Sequence, residues 1–395
     1  MKNSLKLILP VWLIAAVACS KQEASIAGKS LDEIIDQNFQ DADKQYKLLM
    51  KKLPNGWFPR TYQNGSLITT NADWWCSGFY PGSLLYIYEQ TKNIAFYDEA
   101  IHMLSYLEKE QYNTTTHDLG FMMYSSFGNA LRFDSNNEAY KKILINSAKS
   151  LAGRFNPKVG CIKSWDSRPS DFLVIIDNMM NLELLFWATR ETGDSSYYKI
   201  AVTHANTTMK NHFRPDYSSC HVVNYDPATG AVIKKYTAQG YADNSAWARG
   251  QSWGFYGFTM MYRETKDIRY LEQAENIAHF ILSNPNLPAD KIPYWDYNAP
   301  DIPGALRDAS AAAIMASAFV ELSHYADAAN AQEYKHAAET ILFNLSTSRY
   351  KASIGTNGGF ILKHGVGGFP QHAELDVPLT YTDYYFLEAM KRYKE

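Results

Sequence analysis

The sequence is poor in cysteine and lacks the spacings that bind zinc. Four cysteines occur among 395 residues, namely Cys19, Cys76, Cys161 and Cys220. Apart from the first, they are far apart and odd in number, so they predict no disulfide framework. Neither CxxC nor HExxH occurs, and we therefore expect no structural or catalytic metal site.

The sequence also lacks a charge excess. Lysine and arginine number 38 and aspartate and glutamate 41, which gives a formal net charge of -3. Nucleic-acid binding through electrostatics needs a basic surface. The composition therefore argues against a nucleic-acid partner.

The apolar run Leu7–Val17 is too short to cross a bilayer. It follows Lys2 and Lys6 and ends in Ala-Val-Ala before Cys19. This order indicates a signal peptide over residues 1–18.

A cysteine directly after the small residues resembles a bacterial lipoprotein signal. We expect Cys19 to become the lipidated first residue, followed by a polar tether over residues 19–30. The chain would then be an exported lipoprotein of the periplasm or outer membrane.

Aromatic residues are abundant, with 28 Tyr, 19 Phe and 9 Trp. Aromatic rings stack on the C–H faces of sugars, which suits a carbohydrate-binding protein. They suit a large hydrophobic core equally well, and hydrophobic residues make up 46% of the chain. Composition alone leaves both interpretations open.

From Leu31 onward the apolar period is helical almost throughout. About twelve helices are predicted, near 31–53, 77–91, 94–110, 119–132, 136–154, 178–192, 194–213, 244–265, 268–284, 308–325, 329–347 and 379–393. A hairpin is predicted from His221 to Tyr236, with Pro227 and Gly230 at its turn.

Alternate helices differ in character. Those near 77, 119, 178, 244, 308 and 379 are apolar nearly all round, which predicts burial, and the others carry a polar face. Six inner and six outer helices describe an all-α (α/α)6 barrel, a single domain over residues 31–395. The alternative is a helical solenoid, but no fixed repeat period is evident.

Polar or aromatic clusters precede the inner helices. They are Asp73-Trp74-Trp75, His117-Asp118, Asp177-Asn178, Asp243-Asn244, Arg307-Asp308 and Asp376. Each Asp could simply be a helix N-cap. If the inner helices are parallel, the clusters meet at one end and form a cup of N–H donors that suits an anionic ligand.

Asp118 and Asp177 are flanked by apolar residues. A desolvated carboxyl near a second carboxylate has a raised pKa, so it can stay protonated for acid catalysis near neutral pH. The pair is therefore a candidate for acid–base chemistry.

The segment "YTAQGYADNSAWARGQSWGFYGF" holds a second cluster that includes Gln239, Trp247, Arg249 and Trp253. If its helix starts at Asn244, Arg249 and Trp253 share a face. Arg249 could bind a sugar carboxylate and Trp253 could stack on its ring. The alternative is a structural arginine with core tryptophans.

Six ordered motifs give the chain a family resemblance. They are "WWCSGFYPGSLLYIYE", "THDLGFM", "IIDNMMNLELL", "TAQGYADNSAWARGQSWGFYGF", "RDASAAAIMASAFVEL" and "DVPLTYTDYYFLEA". From about residue 31 to its end the chain resembles the unsaturated glucuronyl hydrolases of glycoside hydrolase family 88. The resemblance implies the (α/α)6 barrel, in agreement with the helix pattern.

The resemblance also implies roles for matching residues. Asp177 would be the principal general acid/base and Asp118 the second essential carboxylate. The substrate-binding candidates are Trp75, His117, His221, Gln239, Trp247, Arg249 and Trp253, of which Trp75 and Trp253 would stack on the unsaturated ring.

The implied reaction hydrates the C4=C5 double bond of an unsaturated uronic acid at the end of a lyase-generated oligosaccharide. It needs no metal or organic cofactor, and we expect a monomer acting on glycosaminoglycan fragments. Alternatives are an unsaturated rhamnogalacturonyl hydrolase and a non-catalytic glycan-binding lipoprotein.

One loop departs from the pattern. Relatives that act on sulfated glycosaminoglycans tend to carry serines where "KHGVGGFPQ" has Gly365 and Gly368. The missing hydroxyls put sulfate recognition by this loop in doubt, although Lys363, His364 and backbone N–H groups remain candidates.

Overall fold

The computed structural model describes residues 28–168 and 170–395. The predicted signal peptide, Cys19 and most of the tether lie outside the described residues. Among those described, no helix is long and apolar enough to cross a membrane.

Twelve helices lie in this part of the chain, and the predicted all-α barrel is confirmed. They span Leu31–Lys52 (α1), Phe79–Thr91 (α2), Ile94–Leu107 (α3), Gly120–Gly128 continued by Asn129–Leu131 (α4), Glu138–Ala152 (α5), Leu182–Thr192 (α6), Ser195–His212 (α7), Ala248–Thr265 (α8), Ile268–Ser283 (α9), Ala309–Ser323 (α10), Ala328–Leu345 (α11) and Thr380–Lys394 (α12). Short 3-10 turns cover Glu108–Tyr112, Ile176–Asn181 and Asn357–Gly359.

The even-numbered helices form a closed inner ring. Each packs on the next, and α12 returns to α2 to close the circle. Burial follows from composition, since Ala309–Leu322 of α10 and Ala248–Met261 of α8 are buried without interruption. The odd-numbered helices pack outside them, with the predicted polar face toward solvent.

Side-chain N-caps belong mainly to the outer helices. The side chains of Ser30, Asn93, Asn137, Asp194, Asp267 and Asp327 each accept a backbone N–H at the start of an outer helix. Of the acids placed before the inner helices, Asp308 alone acts as such a cap among the described residues. The simple N-cap interpretation is therefore wrong for Asp118 and Asp177.

Short antiparallel strands lie in the loops that precede the inner helices, at one end of the barrel. They are Phe58–Gln63 (β1), Ser66–Thr70 (β2), Phe155–Asn156 (β3), Cys161–Ile162 (β4), Phe172–Ile175 (β5), Val222–Tyr225 (β6), Val232–Tyr236 (β7), Gly365–Gly368 (β8) and Ala373–Val377 (β9). The predicted hairpin is the β6–β7 pair. The strand β5, which was not predicted, pairs with β6 and leads into the turn that carries Asp177.

Two inner helices begin differently from the prediction. α8 starts at Ala248 rather than Asn244, because Ala246 pairs with Tyr297 and the side chain of Asp296 holds Tyr241 and Ser245. α6 starts at Leu182 after a 3-10 turn. Tertiary hydrogen bonds therefore set the start of α8.

Candidate active site

Two loop-to-helix junctions carry the predicted aspartates. Asp118 lies two residues before the π-helical first part of α4, and π-helical turns occur often at functional sites. Asp177 lies in the 3-10 turn Ile176–Asn181. Both side chains keep a small exposed fraction of 14%, so both are largely but not fully desolvated.

The two junctions lock directly together. The side-chain oxygen of Asn181 accepts the backbone N–H of Phe121 at 2.9 Å. A Cβ atom added to Gly120 would lie 2.5 Å from the Cα of Asn181, so only glycine permits this approach. The packing therefore brings the segments of Asp118 and Asp177 together, as the sequence predicted.

Ser164 ties the same two junctions from behind. Its hydroxyl accepts the backbone N–H of Ile175 at 3.0 Å, and its carbonyl lies 3.0 Å from Nδ1 of His117. Ser164 is buried. One residue thus positions the neighbours of both aspartates.

The electrostatic setting of Asp177 suits a proton donor. Burial, opposed by the charge of Arg249 and reinforced by that of Asp118, raises the pKa of Asp177 to about 7. The Oδ1 atom of Asp177 is buried and has no hydrogen-bond partner among the described residues. Asp177 is therefore poised to be protonated near neutral pH and to hydrogen-bond an incoming ligand.

The protonation state of His221 follows from its partners. Its Nδ1 accepts the backbone N–H groups of Ala238 and Gln239 at 3.1 and 3.2 Å. Burial, with the charge of Arg249, lowers the pKa of His221 to about 3, so the ring is neutral and its proton lies on Nε2. Nε2 lies 3.9 Å from Oδ1 of Asp177, which leaves it as a donor beside the acid.

His117 lies directly beside Asp118. Because Nδ1 of His117 faces the carbonyl of Ser164, that nitrogen carries a proton. Burial lowers the pKa of His117, so Nε2 carries none, and although it lies 3.3 Å from Oδ1 of Asp118 it has no hydrogen-bond partner among the described residues. Oδ2 of Asp118 accepts the hydroxyl of Thr116 at 3.1 Å. The contact of His117 with the substrate stays a prediction.

A cleft of about 290 Å³ lies at this mouth of the barrel. Its wall includes Trp75 and Gln239, two of the predicted residues, and the hairpin β8–β9 covers one side. Trp75 packs edge-on against Phe121 and lies 4.9 Å from the ring of Tyr381. The cleft thus presents aromatic faces, as a sugar site requires. Asp118 and Asp177 do not line it themselves, and its connection to them runs through Trp165, which contacts His221 beside Asp177.

Arg249 holds the wall of the cleft. One terminal nitrogen donates to the carbonyl of Val366 and to Asp308, and the other donates to Gly367 at 2.5 Å. Its guanidinium lies 4.6 Å from the ring centre of Trp247. The predicted fork onto a sugar carboxylate stays a prediction, because here both ends of the fork anchor the hairpin.

Trp247 and Trp253 lie behind the cleft. Trp247 is buried against His221, with ring centres 4.6 Å apart. Trp253 has 0% exposed surface and packs against Phe121 and Tyr385. Placing Trp253 on the ring of the substrate is thus not supported by its position, since core side chains cover it.

Two cleft residues, Trp165 and Tyr381, and the buried Ser164 behind the aspartates were not singled out from the sequence. Trp165 lines the cleft and meets His221 edge-on at 5.9 Å. The sequence feature that could have identified Trp165 is a tryptophan within a polar loop. Asp243, in contrast, is largely exposed and accepts the backbone N–H of Thr237, so it stays outside the pair.

No group of three or more His, Cys, Asp or Glu residues in the described ranges could hold a metal ion. Cys76, Cys161 and Cys220 are buried free thiols.

Comparisons with known proteins identify the family of the chain. Residues 49–286 match Glycosyl Hydrolase Family 88. The chain is 49% identical to an unsaturated glucuronyl hydrolase of Formosa agariphila over 80% of this chain and 79% of that protein. It is 35% identical to an unsaturated chondroitin disaccharide hydrolase of Streptococcus pneumoniae over 85% of each chain.

Solved structures of unsaturated glucuronyl hydrolases are also similar to this chain. A crystal structure of an unsaturated glucuronyl hydrolase specific for heparin superposes with a TM-score of 0.89 and 46% identity, covering 92% of this chain and 97% of the other. That of a Streptococcus agalactiae unsaturated glucuronyl hydrolase gives 0.87 at 28% identity, covering 100% and 98%. The predicted family is confirmed: the chain is an enzyme that belongs to glycoside hydrolase family 88.

Proposed function

We propose that this enzyme is an unsaturated glucuronyl hydrolase that acts on lyase-generated fragments of glycosaminoglycans. One observation carries the proposal: Asp177 is a largely buried carboxyl, with a pKa of about 7, beside a second carboxylate and a neutral histidine. The names of the similar proteins, which include heparin and chondroitin substrates, support the substrate class.

The proposed reaction begins at the enol ether of the terminal uronic acid. Asp177 donates its proton to C4, and positive charge develops at C5 beside the ring oxygen. A water molecule then adds to C5 and returns a proton to the Asp177 carboxylate. The hemiketal at C5 opens to a ketone and the glycosidic bond is lost, which releases the shortened sugar.

Each neighbour has a part in this scheme. Burial keeps the proton on Asp177, the charge of Asp118 adds to this effect, and His221 offers an N–H to the reacting region. Because water adds to a double bond instead of displacing a leaving group directly, the separation of the two carboxylates does not predict stereochemistry here.

The test uses the ultraviolet absorbance of the double bond. The wild type should consume unsaturated disaccharides from chondroitin or heparin, and Asp177→Asn should lose at least about 10³-fold in kcat while still binding them. Asp171→Asn, a partly exposed neighbour, is the matched control and should retain activity. Full activity in Asp177→Asn would refute the proposed acid, and turnover confined to rhamnogalacturonan fragments would favour the alternative substrate.

We also propose that the chain is exported and lipid-anchored at Cys19, and that it works as a monomer. Support for the anchor comes from Lys2, Lys6 and the short apolar run before Cys19. Mass spectrometry of the mature N-terminus should find a lipid on Cys19, and Cys19→Ser should release the enzyme from membranes. An unmodified Cys19 in mature protein would refute the anchor.

A further inference from the structure

Arg60 places a positive charge at the rim of the cleft. It lies on β1, and its side chain is 31% exposed. Its guanidinium lies 4.7 Å from the ring centre of Trp74, which is itself 39% exposed. Nε of Arg60 donates to Oε1 of Glu374 at 2.5 Å, so the ion pair fixes the orientation of the guanidinium.

The remaining donors of Arg60 are available. Its two terminal nitrogens carry four N–H groups, and they donate to no acceptor in residues 28–168 and 170–395. Arg249, the other cation that lines the cleft, has both terminal nitrogens engaged by backbone carbonyls. Arg60 is therefore the cleft arginine with an unoccupied fork.

The hairpin β8–β9 supplies no hydroxyl at this rim. A Cβ on Gly365 would lie 2.9 Å from the carbonyl oxygen of Val377, and one on Gly367 would lie 2.5 Å from Oε2 of Glu374. Side chains at these positions would collide with the hairpin and with the partner of Arg60. The hairpin instead contributes Glu374, whose carboxylate accepts a hydrogen bond from Arg60 and fixes its position.

We infer that Arg60, with Trp74, forms a subsite for a sulfate group on the second sugar of the substrate. The inference rests on the proposed function and names a determinant of its substrate class. A guanidinium with a free fork binds sulfate oxygens through two parallel N–H contacts, and the exposed indole offers a face to the sugar ring. The proposed reaction places the unsaturated ring at Asp177, whose pKa responds to the charge of Arg249. Arg60 lines the same cleft as Arg249, and we therefore assign it to the sugar that follows.

The test compares matched unsaturated disaccharides that differ only in a sulfate on the second sugar. Wild type should show a lower KM for the sulfated member. In Arg60→Gln that KM should rise roughly tenfold or more, with kcat and the KM of the unsulfated member nearly unchanged. Arg60→Lys, which keeps charge without a fork, should fall between them.

Arg269→Gln is the control, because Arg269 lies on the outer helix α9, away from the cleft, and forms an ion pair with Asp267. Thermal melting shows whether each variant is folded. An unchanged ratio of the two KM values in folded Arg60→Gln would overturn the subsite while leaving the proposed function intact.

Calorimetric titration distinguishes a failure of the proposed sulfate subsite from a failure of the proposed function. On an Asp177→Asn background the sulfated disaccharide should bind more tightly than the unsulfated one, and adding Arg60→Gln should remove the difference. This measurement decides the subsite even if the wild type turns over neither sugar, a result that would refute the proposed function. A preference that follows sulfate on the uronate instead would also overturn the inference.

Discussion

Asp177 is an ionisable side chain that is largely buried, and burial disfavours its charged form. Its pKa of about 7 makes it a proton donor in the neutral range, whereas an exposed aspartate would have lost its proton far below that. His221, with a pKa of about 3, stays neutral throughout this range. Of these two neighbouring side chains, Asp177 is therefore the one that changes its charge near pH 7.

The pH dependence of the rate follows. Because the proton donor must be protonated, kcat/KM should fall about tenfold per pH unit above roughly pH 7. A stopped assay of double-bond absorbance between pH 5 and 9 measures this. A flat profile across that range would contradict the assignment of Asp177 as the acid.

The same burial predicts a stability effect. The folded-state pKa of Asp177 lies above its unfolded value, so the proton stabilises the fold fully below about pH 4, and this stabilisation is lost as pH rises through about 7. Ionising the carboxyl in place then costs a few kcal/mol, at about 1.4 kcal/mol per pKa unit. Asp177→Asn should melt several degrees above wild type at pH 8.

The difference between the two melting curves should shrink toward pH 4. Asp171→Asn should follow wild type at every pH, since Asp171 is partly exposed and hydrogen-bonded by Asn224. If Asp177→Asn melts below wild type at pH 8, the carboxyl is stabilising and the burial argument is wrong.

At the scale of elements, the site depends on the contact between the start of α4 and the 3-10 turn before α6. Gly120→Ala would force Cβ against the backbone of Asn181, so the turn must shift. We expect roughly 1–3 kcal/mol of destabilisation and a loss of kcat of at least about tenfold. Denaturant unfolding and steady-state kinetics measure these effects.

Gly153→Ala provides the comparison. Gly153 has ordinary helical dihedral angles, and an added Cβ would meet atoms no nearer than 3.4 Å. This variant should keep both activity and stability. Equal effects from the two substitutions would show that the contact at Gly120 is not special.

Ser164 tests the link between the loop before β5 and both aspartates. Ser164→Ala leaves the backbone N–H of Ile175 without its acceptor, which costs about 1–3 kcal/mol of folding free energy. The looser turn should lower kcat more than it raises KM. Ser167→Ala, on the exposed part of the same loop, should change neither quantity, and a pure stability loss in Ser164→Ala would refute the positioning role.

The helices and strands show most clearly what can be predicted from the sequence. Helical periodicity predicts all twelve helices, because a ring of buried helices imposes a strong apolar pattern. It misplaces the start of α8, where Asp296 and Tyr297 hold the chain extended across some fifty residues of sequence. It also misses β5, which is too short to show a pattern of its own.

Some residues of the candidate site could likewise be predicted from the sequence, and others could not. Asp118 and Asp177 stand out because carboxyl groups rarely interrupt apolar segments. Ser164 and Trp165 lie in a loop without periodicity, and their importance comes only from distant partners. Arg249 and Trp253 have the right chemistry for sugar contacts, and those contacts stay predictions; in the structure Arg249 binds the hairpin β8–β9 and Trp253 is buried in the core.

At the scale of the whole molecule, Asp383 joins the two ends of the described chain. Its carboxylate accepts the backbone N–H groups of Ile361 and Leu362 and the hydroxyl of Tyr46 on α1. It lies on α12, the helix that closes the inner ring. Burial raises its pKa to about 7.

Asp383→Ala should lower the free energy of unfolding at pH 8 by about 2–5 kcal/mol, because two buried N–H groups lose their acceptor. The protein should still bind substrate with an unchanged KM when folded. Chemical denaturation measures the first quantity. Asp98→Ala, on the exposed face of α3, is the control, and an equal loss in both variants would contradict the argument.

The closed ring of helices has a consequence for chain order. α12 packs on α1 as well as on α2, and Lys394 forms an ion pair with Asp36. Joining these helices by a short linker and cutting the chain at the exposed turn around Gly193, between α6 and α7, would leave every interhelical contact in place. The barrel should therefore survive as a circular permutant, with synthesis starting at α7 and the catalytic turn of Asp177 near its new end.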